Sequence, residues 1–175
     1  DVAIRRAAQL GVNLETAVTE RHEQLPLYKR YVYKMEPRAL EALTWAGIDG
    51  VTLANNHVLD YGRAGLLDTL RHVHGARLVP IGAAATSRGA RRGAVFRVGG
   101  ARIGVLSYLE DSLMHSVYVR SFATGIGPGC ARLTAANAVQ DIRRLRRHAD
   151  VVIVVPHWGR DYGDVSWTQR WMGRH

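Results

Sequence analysis

Short apolar runs in this chain are separated by longer stretches in which apolar and polar residues are mixed. The apolar runs VTLA (51–54), LVPIGA (78–83) and VVIVVP (151–156) predict strands. VVIVVP contains no polar position, which is typical of a strand that is buried on both faces. Residues 94–108 form two alternating runs around Gly99-Gly100 and predict a β-hairpin.

Between these strands, apolar residues recur at helical spacing. The stretches that favour helices are residues 3–10, 37–47, 64–74 and 134–148. Pro37 and Gly47 mark the two ends of the second helix, and Thr134 is a suitable N-cap for the last one. The final segment, residues 169–175, reads as the beginning of a further helix.

The order of these elements indicates the fold class. Strands alternate with helices, so we expect an α/β domain with a mainly parallel β-sheet, flanking helices and one embedded hairpin. Residues 20–35 show no clear period, and we expect a loop there. A chain of 175 residues with 47% hydrophobic residues is suited to one globular domain over residues 1–175.

Charge and cysteine content narrow the functional classes. A formal net charge of +9 favours an anionic partner in general, although arginines on solvated helix faces are the simpler explanation of such an excess. Cys130 is the only cysteine, so an intrachain disulfide is excluded and a small buried side chain is expected. The sequence contains no run of about 18 apolar residues, which a membrane-spanning helix requires, and no secretory signal.

Polar residues directly follow two of the predicted strands, and they also occur at a further short strand end that we expect at residues 12–15. VTLA runs into Asn55-Asn56-His57, VVIVVP runs into His157-Trp158-Gly159, and Val12 leads into Asn13-Leu14-Glu15. Ligand sites of open α/β sheets lie at the carboxyl ends of the strands, so we expect these residues to share one cleft. Imidazole, amide and carboxylate groups together suit Mn²⁺, Zn²⁺ or Fe²⁺.

Each of these residues also has a simpler interpretation. A single histidine at a strand end is often a satisfied surface residue, and Asn55 fits a turn or an N-cap. Glu15 is equally suited to a loop or to the start of a helix. The repetition of one arrangement at three strand ends is what favours a metal site.

Four blocks in their order along the chain resemble the bacterial CapA family of capsule and poly-γ-glutamate biosynthesis proteins. The blocks are NLET (13–16), LANNHVLDYGRAGLLDTL (53–70), IGVLSYLE (103–110) and HADVVIVVPHWGRDYGDVSWTQR (148–170). That family is related in fold to the calcineurin-like metallophosphoesterases. The resemblance therefore implies a layered, metallophosphoesterase-like α/β sandwich that holds divalent metal ions, singly or as a dinuclear pair.

The resemblance also implies roles for individual residues. The implied metal ligands are Glu15, Asn56 and His157. The implied catalytic residues are His57 and Asp60, with His57 serving the departing oxygen. The implied substrate-binding residues are Asn13, Tyr61 and Trp158, with Asn13 also placed beside the metal ligands. Asp60 either orients His57 through a hydrogen bond or caps the helix that begins near Arg63.

Two blocks of the family pattern are missing. The family begins with a Gly-Asp block and ends with a Gly-His-His-Pro-His block, and neither occurs in this chain. Asp1 lies too close to the NLET block to replace the first, and His175 comes too early to replace the last. We therefore expect a domain that is incomplete at both ends and a metal site that is weakened or lost, because ligand number sets affinity.

Two functional hypotheses remain. The first is a metal-dependent hydrolase of the phosphoesterase type that acts in envelope polymer assembly, and the second is a non-catalytic polymer-binding, export or assembly factor. The expected partners are an anionic envelope polymer or its precursor and other polymer-synthesis proteins. No nucleic-acid-binding motif is present, so nucleic acid is not expected. The resemblance implies the extracytoplasmic face of the cell envelope, with membrane association left to segments outside this chain.

Overall fold

The computed structural model describes residues 11–25, 29–159 and 163–173. The strands are β1 (Val12–Asn13), β2 (Ala17–Val18), β3 (Lys34–Met35), β4 (Gly50–Thr52), β5 (Val79–Ile81), β6 (Ala83–Ala84), β7 (Ala94–Val98), β8 (Ala101–Glu110), β9 (Gly129–Cys130), β10 (Arg132–Leu133) and β11 (Val151–His157). The helices are α1 (Leu40–Trp45), α2 (Gly62–Gly75), α3 (Ser87–Ala90), α4 (Ala135–Leu145) and α5 (Trp167–Met172). A 3₁₀ turn (Pro37–Ala39) precedes α1, and a π-helical turn (Met114–Tyr118) follows β8.

Two larger sheets carry the fold. One is three-stranded and parallel, in the order β1-β4-β5. The other has β8 at its centre, with β10 and β11 parallel to it and β7 antiparallel to it. Two short pairs, β2 with β3 and β6 with β9, complete the described strands. The described residues thus confirm the α/β class with mainly parallel pairing.

The hairpin prediction is confirmed. Strands β7 and β8 pair antiparallel around Gly99 and Gly100, which have φ angles of 56° and 88°. Positive φ at both turn positions is the conformation that glycine adopts without steric cost. The sequence therefore specified this turn locally.

The helix predictions are confirmed, with shifted ends. Thr134 accepts a hydrogen bond from the backbone N–H of Asn137 and so caps α4, which ends at Leu145 and not at 148. The helix expected from 37 begins as a 3₁₀ turn and becomes α-helical at Leu40. The loop expected over 20–35 contains β3 at its end. The helix expected at 3–10 lies outside the described residues.

The prediction that β11 is buried on both faces is wrong. Val151 is 54% exposed and Ile153 is 38% exposed, while Val152 and Val154 pack toward α4. Among the described residues β11 pairs only with β8, so it is an edge strand of this sheet. A continuous apolar run cannot by itself distinguish a central strand from an edge strand that is covered on one face.

The two sheets meet at Gly82, between β5 and β6. Its carbonyl accepts a hydrogen bond from the backbone N–H of Ala131 at 2.7 Å, next to the end of β8. Its φ angle is 87°, and a Cβ atom there would lie 2.7 Å from Ala54 Cβ and 2.8 Å from Ser107 Cβ. This close approach brings the carboxyl ends of β4 and β8 to the same side of the molecule. In the described ranges, no helix is long and apolar enough to cross a membrane.

Candidate metal and catalytic site

Asn55 shapes the loop that follows β4. Its Oδ1 accepts hydrogen bonds from the backbone N–H groups of His57 and Val58, at 3.1 and 2.9 Å. Its Nδ2 donates to the carbonyl of Leu14 at 2.9 Å. The turn role expected for Asn55 is therefore confirmed, and the same amide also ties this loop to the end of β1. The turn presents the next two side chains, Asn56 and His57.

The structure brings Glu15, Asn56 and His157 together. His157 Nε2 lies 2.9 Å from Asn56 Oδ1 and 3.8 Å from Glu15 Oε1. The three residues follow or end three different strands, β1, β4 and β11. The predicted convergence at the strand ends is thus observed, while the ligand roles of these residues stay a prediction.

The donor set of this cluster fits a divalent cation. Within the described ranges, no three His, Cys, Asp or Glu side chains form a metal-binding group, so the amide of Asn56 has to supply the third donor here. Two ligands bound at right angles and about 2.1 Å from one ion stand about 3 Å apart, close to the separation of His157 Nε2 and Asn56 Oδ1. Carboxylate, amide oxygen and imidazole together suit Mn²⁺, Fe²⁺ or Zn²⁺.

Asn13 holds the carboxylate of Glu15. Its Nδ2 donates to Glu15 Oε2 at 2.9 Å, which leaves the other oxygen toward His157. Its Oδ1 accepts from Asn55 Nδ2 at 3.3 Å and from Thr52 Oγ1 at 3.4 Å. The chain of amides fixes the orientation of Glu15, the support that ligand carboxylates in metal sites usually have.

His57 and Asp60 form a buried pair beside this cluster. His57 Nδ1 lies 2.7 Å from Asp60 Oδ2, and the two residues are 7% and 3% exposed. Helix α2 begins at Gly62 with Tyr61 as its N-cap residue and no side-chain cap, so Asp60 does not cap it. Of the two interpretations of Asp60, the structure favours the contact with His57. The catalytic roles stay predictions.

The other two predicted substrate-binding residues are Tyr61, which directly follows Asp60, and Trp158, which directly follows His157. Tyr61 is 8% exposed, and the Nζ atom of Lys34 lies 5.7 Å from the centre of its ring. Trp158 packs against the apolar cluster between α4 and β8, and its carbonyl accepts from Gln169 Nε2 at 3.5 Å. Their contacts with a substrate stay predictions.

Three residues near the site were missed by the sequence analysis. Lys29 forms an ion pair with Asp60 and donates to the carbonyl of Asn56 at 2.6 Å. The ring of Tyr33 stacks on His57 with 4.1 Å between ring centres. Glu110 Oε2 accepts from the backbone N–H of Gly159 at 2.9 Å. Glu110 ends β8, so the strand-end rule could have found it, but no pattern marks Lys29 or Tyr33.

Cys130 lies under the Asn55 turn and is not a candidate nucleophile. Its Sγ lies 3.7 Å from the carbonyl oxygen of Leu53, and the residue is 1% exposed. Burial raises the pKa of the thiol to about 12, so it stays protonated at neutral pH. The expectation of a buried structural cysteine is confirmed.

Comparison with protein families gives one match over nearly the whole chain. Residues 2–170 match the family described as bacterial capsule synthesis protein PGA_cap. A probable polyglutamine synthesis accessory protein of Mycobacterium tuberculosis is 33% identical over 158 residues, covering 87% of this chain and 41% of that protein. The PGA biosynthesis protein CapA of Bacillus subtilis is 27% identical over 173 residues, covering 97% of this chain and 44% of that protein.

A solved structure is also similar to this chain. It comes from Staphylococcus aureus, is provisionally described as a 5′-nucleotidase, and was solved in complex with alpha-ketoglutarate. It matches with a TM-score of 0.49 and 16% identity, over 90% of this chain and 38% of that chain. The chain thus spans less than half the length of each of these three proteins.

Proposed function

Because this chain belongs to the bacterial capsule synthesis protein PGA_cap family, we propose that it carries a divalent-metal-dependent site of the hydrolase or phosphoesterase type. The site would act in the assembly of an anionic envelope polymer such as poly-γ-glutamate. The observation that supports this proposal is that Glu15, Asn56 and His157 lie together near the carboxyl ends of three strands, next to the buried His57–Asp60 pair.

Each residue of the site has its own role in the proposed reaction. Glu15, Asn56 and His157 would hold the ion, which when bound supplies Lewis acidity toward a phosphoryl or carbonyl oxygen. His57 would exchange a proton with the departing oxygen, the task that a positioned imidazole performs in general acid–base catalysis. Asp60 orients His57 through its contact with Nδ1, and Asn13 orients Glu15.

Metal content and turnover test the proposal together. In a version of this chain extended at both ends to the length of its relatives, we expect bound Mn²⁺, Zn²⁺ or Fe²⁺ and hydrolysis of a generic phosphodiester such as bis-p-nitrophenyl phosphate. His157→Ala should lower both metal content and turnover, because one of three donors is removed. His57→Ala should lower turnover by about 10²- to 10⁴-fold while the metal stays bound.

His74→Ala is the matched control. His74 is exposed on α2, so its removal tests for unspecific effects of losing a histidine. Metal content and turnover should both equal those of the unaltered protein. A folded, extended protein that binds none of the three metals would contradict the enzymatic proposal.

A second candidate function, polymer binding without catalysis, is favoured by exposed arginines at the C-terminal end of α4 and in the turn after it. Arg143 lies on α4, and Arg147 lies in the turn that follows α4; both are exposed and line a shallow groove that also includes Val139. Among the described residues neither guanidinium has a hydrogen bond or ion pair, and Asp141 is already engaged by Arg91. Like charges in one groove repel each other, and a polycarboxylate would relieve that repulsion.

Binding of poly-γ-glutamate, measured by calorimetry at low ionic strength, separates the two candidates. Polymer binding that survives His57→Ala and His157→Ala, in a protein free of metal, supports the binding role. The double substitution Arg143→Ala/Arg147→Ala should then weaken binding by about tenfold or more. Arg77→Ala/Arg97→Ala removes the same charge from exposed positions elsewhere and should have a smaller effect.

The proposed location is the extracytoplasmic face of the cell envelope. Neither candidate function requires a membrane-spanning helix within the described residues. Protease treatment of intact spheroplasts tests the location, because there only a protein outside the cytoplasmic membrane is cleaved. Complete protection in intact spheroplasts, with cleavage after lysis, would contradict it.

A further inference from the structure

Residues 29–33, which precede β3, lie over the His57–Asp60 pair. Lys29 and Tyr33 both belong to this segment, which the sequence pattern marked only as a loop. Their contacts reach three parts of the site: the carboxylate of Asp60, the ring of His57 and the backbone of Asn56. Lys29 and Tyr33 are therefore part of the site.

The carboxylate of Asp60 is held from two sides. Lys29 Nζ forms an ion pair with Oδ1, and the backbone N–H of Tyr33 donates to Oδ2 at 2.7 Å. Oδ2 also faces His57 Nδ1 at 2.7 Å. Since the Asp60 side chain is 1% exposed, these three groups fix its carboxylate plane with little help from solvent.

Lys29 also links this pair to the candidate metal ligand. Its Nζ donates to the carbonyl of Asn56 at 2.6 Å while it contacts Asp60, and it lies 3.4 Å from His57 Nδ1. The ammonium group thus stands directly beside the Nδ1–Asp60 hydrogen bond. An ionised aspartate only accepts hydrogen bonds, so the 2.7 Å contact between His57 Nδ1 and Asp60 Oδ2 favours the tautomer with the proton on Nδ1.

Tyr33 covers the imidazole from the outside. The two rings are stacked at 4.1 Å with an interplanar angle of 27°. Tyr33 is 44% exposed whereas His57 is 7% exposed, so the tyrosine ring stands between the imidazole and solvent. One face of the His57 ring is therefore closed.

We propose that Lys29 and Tyr33 are positioning residues that shield the His57–Asp60 hydrogen bond from water and hold the imidazole with Nδ1 protonated. Nε2 is then the ring nitrogen that stays open for proton exchange with a substrate. The catalytic meaning of this arrangement rests on the function proposed above for His57, but the shielding itself does not.

The exchange of the His57 Nδ1 proton with water tests the shielding directly. In ¹⁵N-histidine-labelled protein without metal, we expect a resolved His57 Nδ1–H signal at neutral pH. Lys29→Met should raise its exchange rate on the order of tenfold or more, because the group beside the hydrogen bond is lost. Tyr33→Leu should also raise the exchange rate, because it removes the ring that covers His57. The backbone N–H that donates to Asp60 is kept in this variant.

Two further variants serve as controls for the effect of Lys29→Met on the exchange rate. Lys34→Met is the matched control, because Lys34 is exposed and contacts the carbonyl of Arg21 and the ring of Tyr61. It should leave the His57 signal unchanged. Lys29→Arg keeps the charge beside Asp60 and should restore a slower exchange than Lys29→Met. A purely structural ion pair would alter unfolding without changing this signal in the folded protein.

Each result decides the inference. A His57 ring protonated at Nε2 in the unaltered protein, or an equal exchange rate in Lys29→Met, would overturn it. If Lys29→Met does not fold, the Tyr33→Leu variant and the tautomer of the unaltered protein still decide. If turnover is found, Lys29→Met should lower kcat by about 10- to 100-fold with little change in KM. Absence of turnover in the unaltered, extended protein contradicts the proposed function and leaves the exchange result standing.

Discussion

Single buried amides set the positions of the side chains around this site. Asn55 is 1% exposed, and both polar atoms of its amide form hydrogen bonds. Its Nδ2 donates to the carbonyl of Leu14 at the end of β1, and its Oδ1 accepts from the backbone N–H groups of His57 and Val58. Because these backbone groups are buried, they have no easy replacement partner. The local shape of the Asn56-His57 pair therefore depends on one neighbouring side chain.

Replacing this amide should be costly. We expect Asn55→Ala to lower the free energy of unfolding by about 2 to 4 kcal/mol, because it leaves buried N–H and C=O groups without partners. Urea unfolding followed by circular dichroism measures the change. Asn137→Ala, which removes a single contact to the carbonyl of Arg132, should cost about 1 kcal/mol or less. Equal losses in the two variants would contradict this account.

At the scale of elements, the starts of β8 and β11 are joined by one ion pair. Asp150 Oδ2 accepts from the backbone N–H of Arg102 at 2.8 Å, and Asp150 Oδ1 lies 2.6 Å from Arg102 Nη2. The backbone N–H of Asp150 donates in return to the carbonyl of Arg102 at 2.8 Å. These contacts set the register in which Val151 pairs with Ile103.

This ion pair predicts an acid dependence of stability. Hydrogen bonds from the side chain and backbone of Arg102 lower the pKa of Asp150 from 3.8 to about 2. A carboxyl with a lowered pKa stabilises the fold above its ordinary pKa, and this contribution is lost as pH falls from 3.8 toward 2.

Asp150→Asn should therefore lower stability at neutral pH and flatten the fall in that acid window, measured by thermal unfolding across pH. Arg102→Met should act in the same way, and the double variant should add little, because both substitutions remove one shared contact. Additive effects of the two substitutions would contradict the assignment.

At the scale of the whole molecule, the site exists because two separate sheets meet. Glu15 and Asn56 follow strands of the first sheet, and His157 ends β11 of the second. The sheets approach at Gly82, where neither the φ angle nor the space allows a side chain. The distance between Asn56 and His157 therefore depends on this junction.

Gly82→Ala should disturb that junction. We expect a loss of roughly 2 to 5 kcal/mol of unfolding free energy, from the positive φ and the crowding against Ala54 and Ser107. Gly75→Ala is the control, since a Cβ there meets no atom within 4 Å, and it should be neutral or stabilising. Chemical denaturation of both variants checks this, and an unaffected Gly82→Ala protein would refute it.

The exposed edge at β11 predicts self-association. Within the described residues, β11 has no second neighbour in the sheet, and Val151 and Ile153 are exposed there. Open strand edges with apolar side chains pair readily with other chains. Ile153→Lys should reduce association in sizing chromatography across protein concentrations, whereas Leu67→Lys, at an exposed helical position, should not. A monodisperse monomer at all concentrations would contradict the prediction.

The sequence determined the elements and the strand ends that bear chemistry. Glycine pairs, proline and threonine caps act locally, so the hairpin at Gly99-Gly100 and the capped helix at Thr134 could be predicted without long-range information. Polar residues directly after apolar strands likewise predicted that Glu15, Asn56 and His157 would share one cleft. The connectivity of parallel strands makes that outcome general.

Only the tertiary structure decided which residues complete the site. Lys29 and Tyr33 lie in a segment without periodicity, and their contacts with His57 and Asp60 join residues 24 to 31 positions apart. The burial of β11 was likewise mispredicted, because a strand's own sequence does not show whether a neighbour covers it. Local backbone conformation depends on adjacent residues, so the sequence predicts it, whereas packing partners depend on how the fold brings distant segments together.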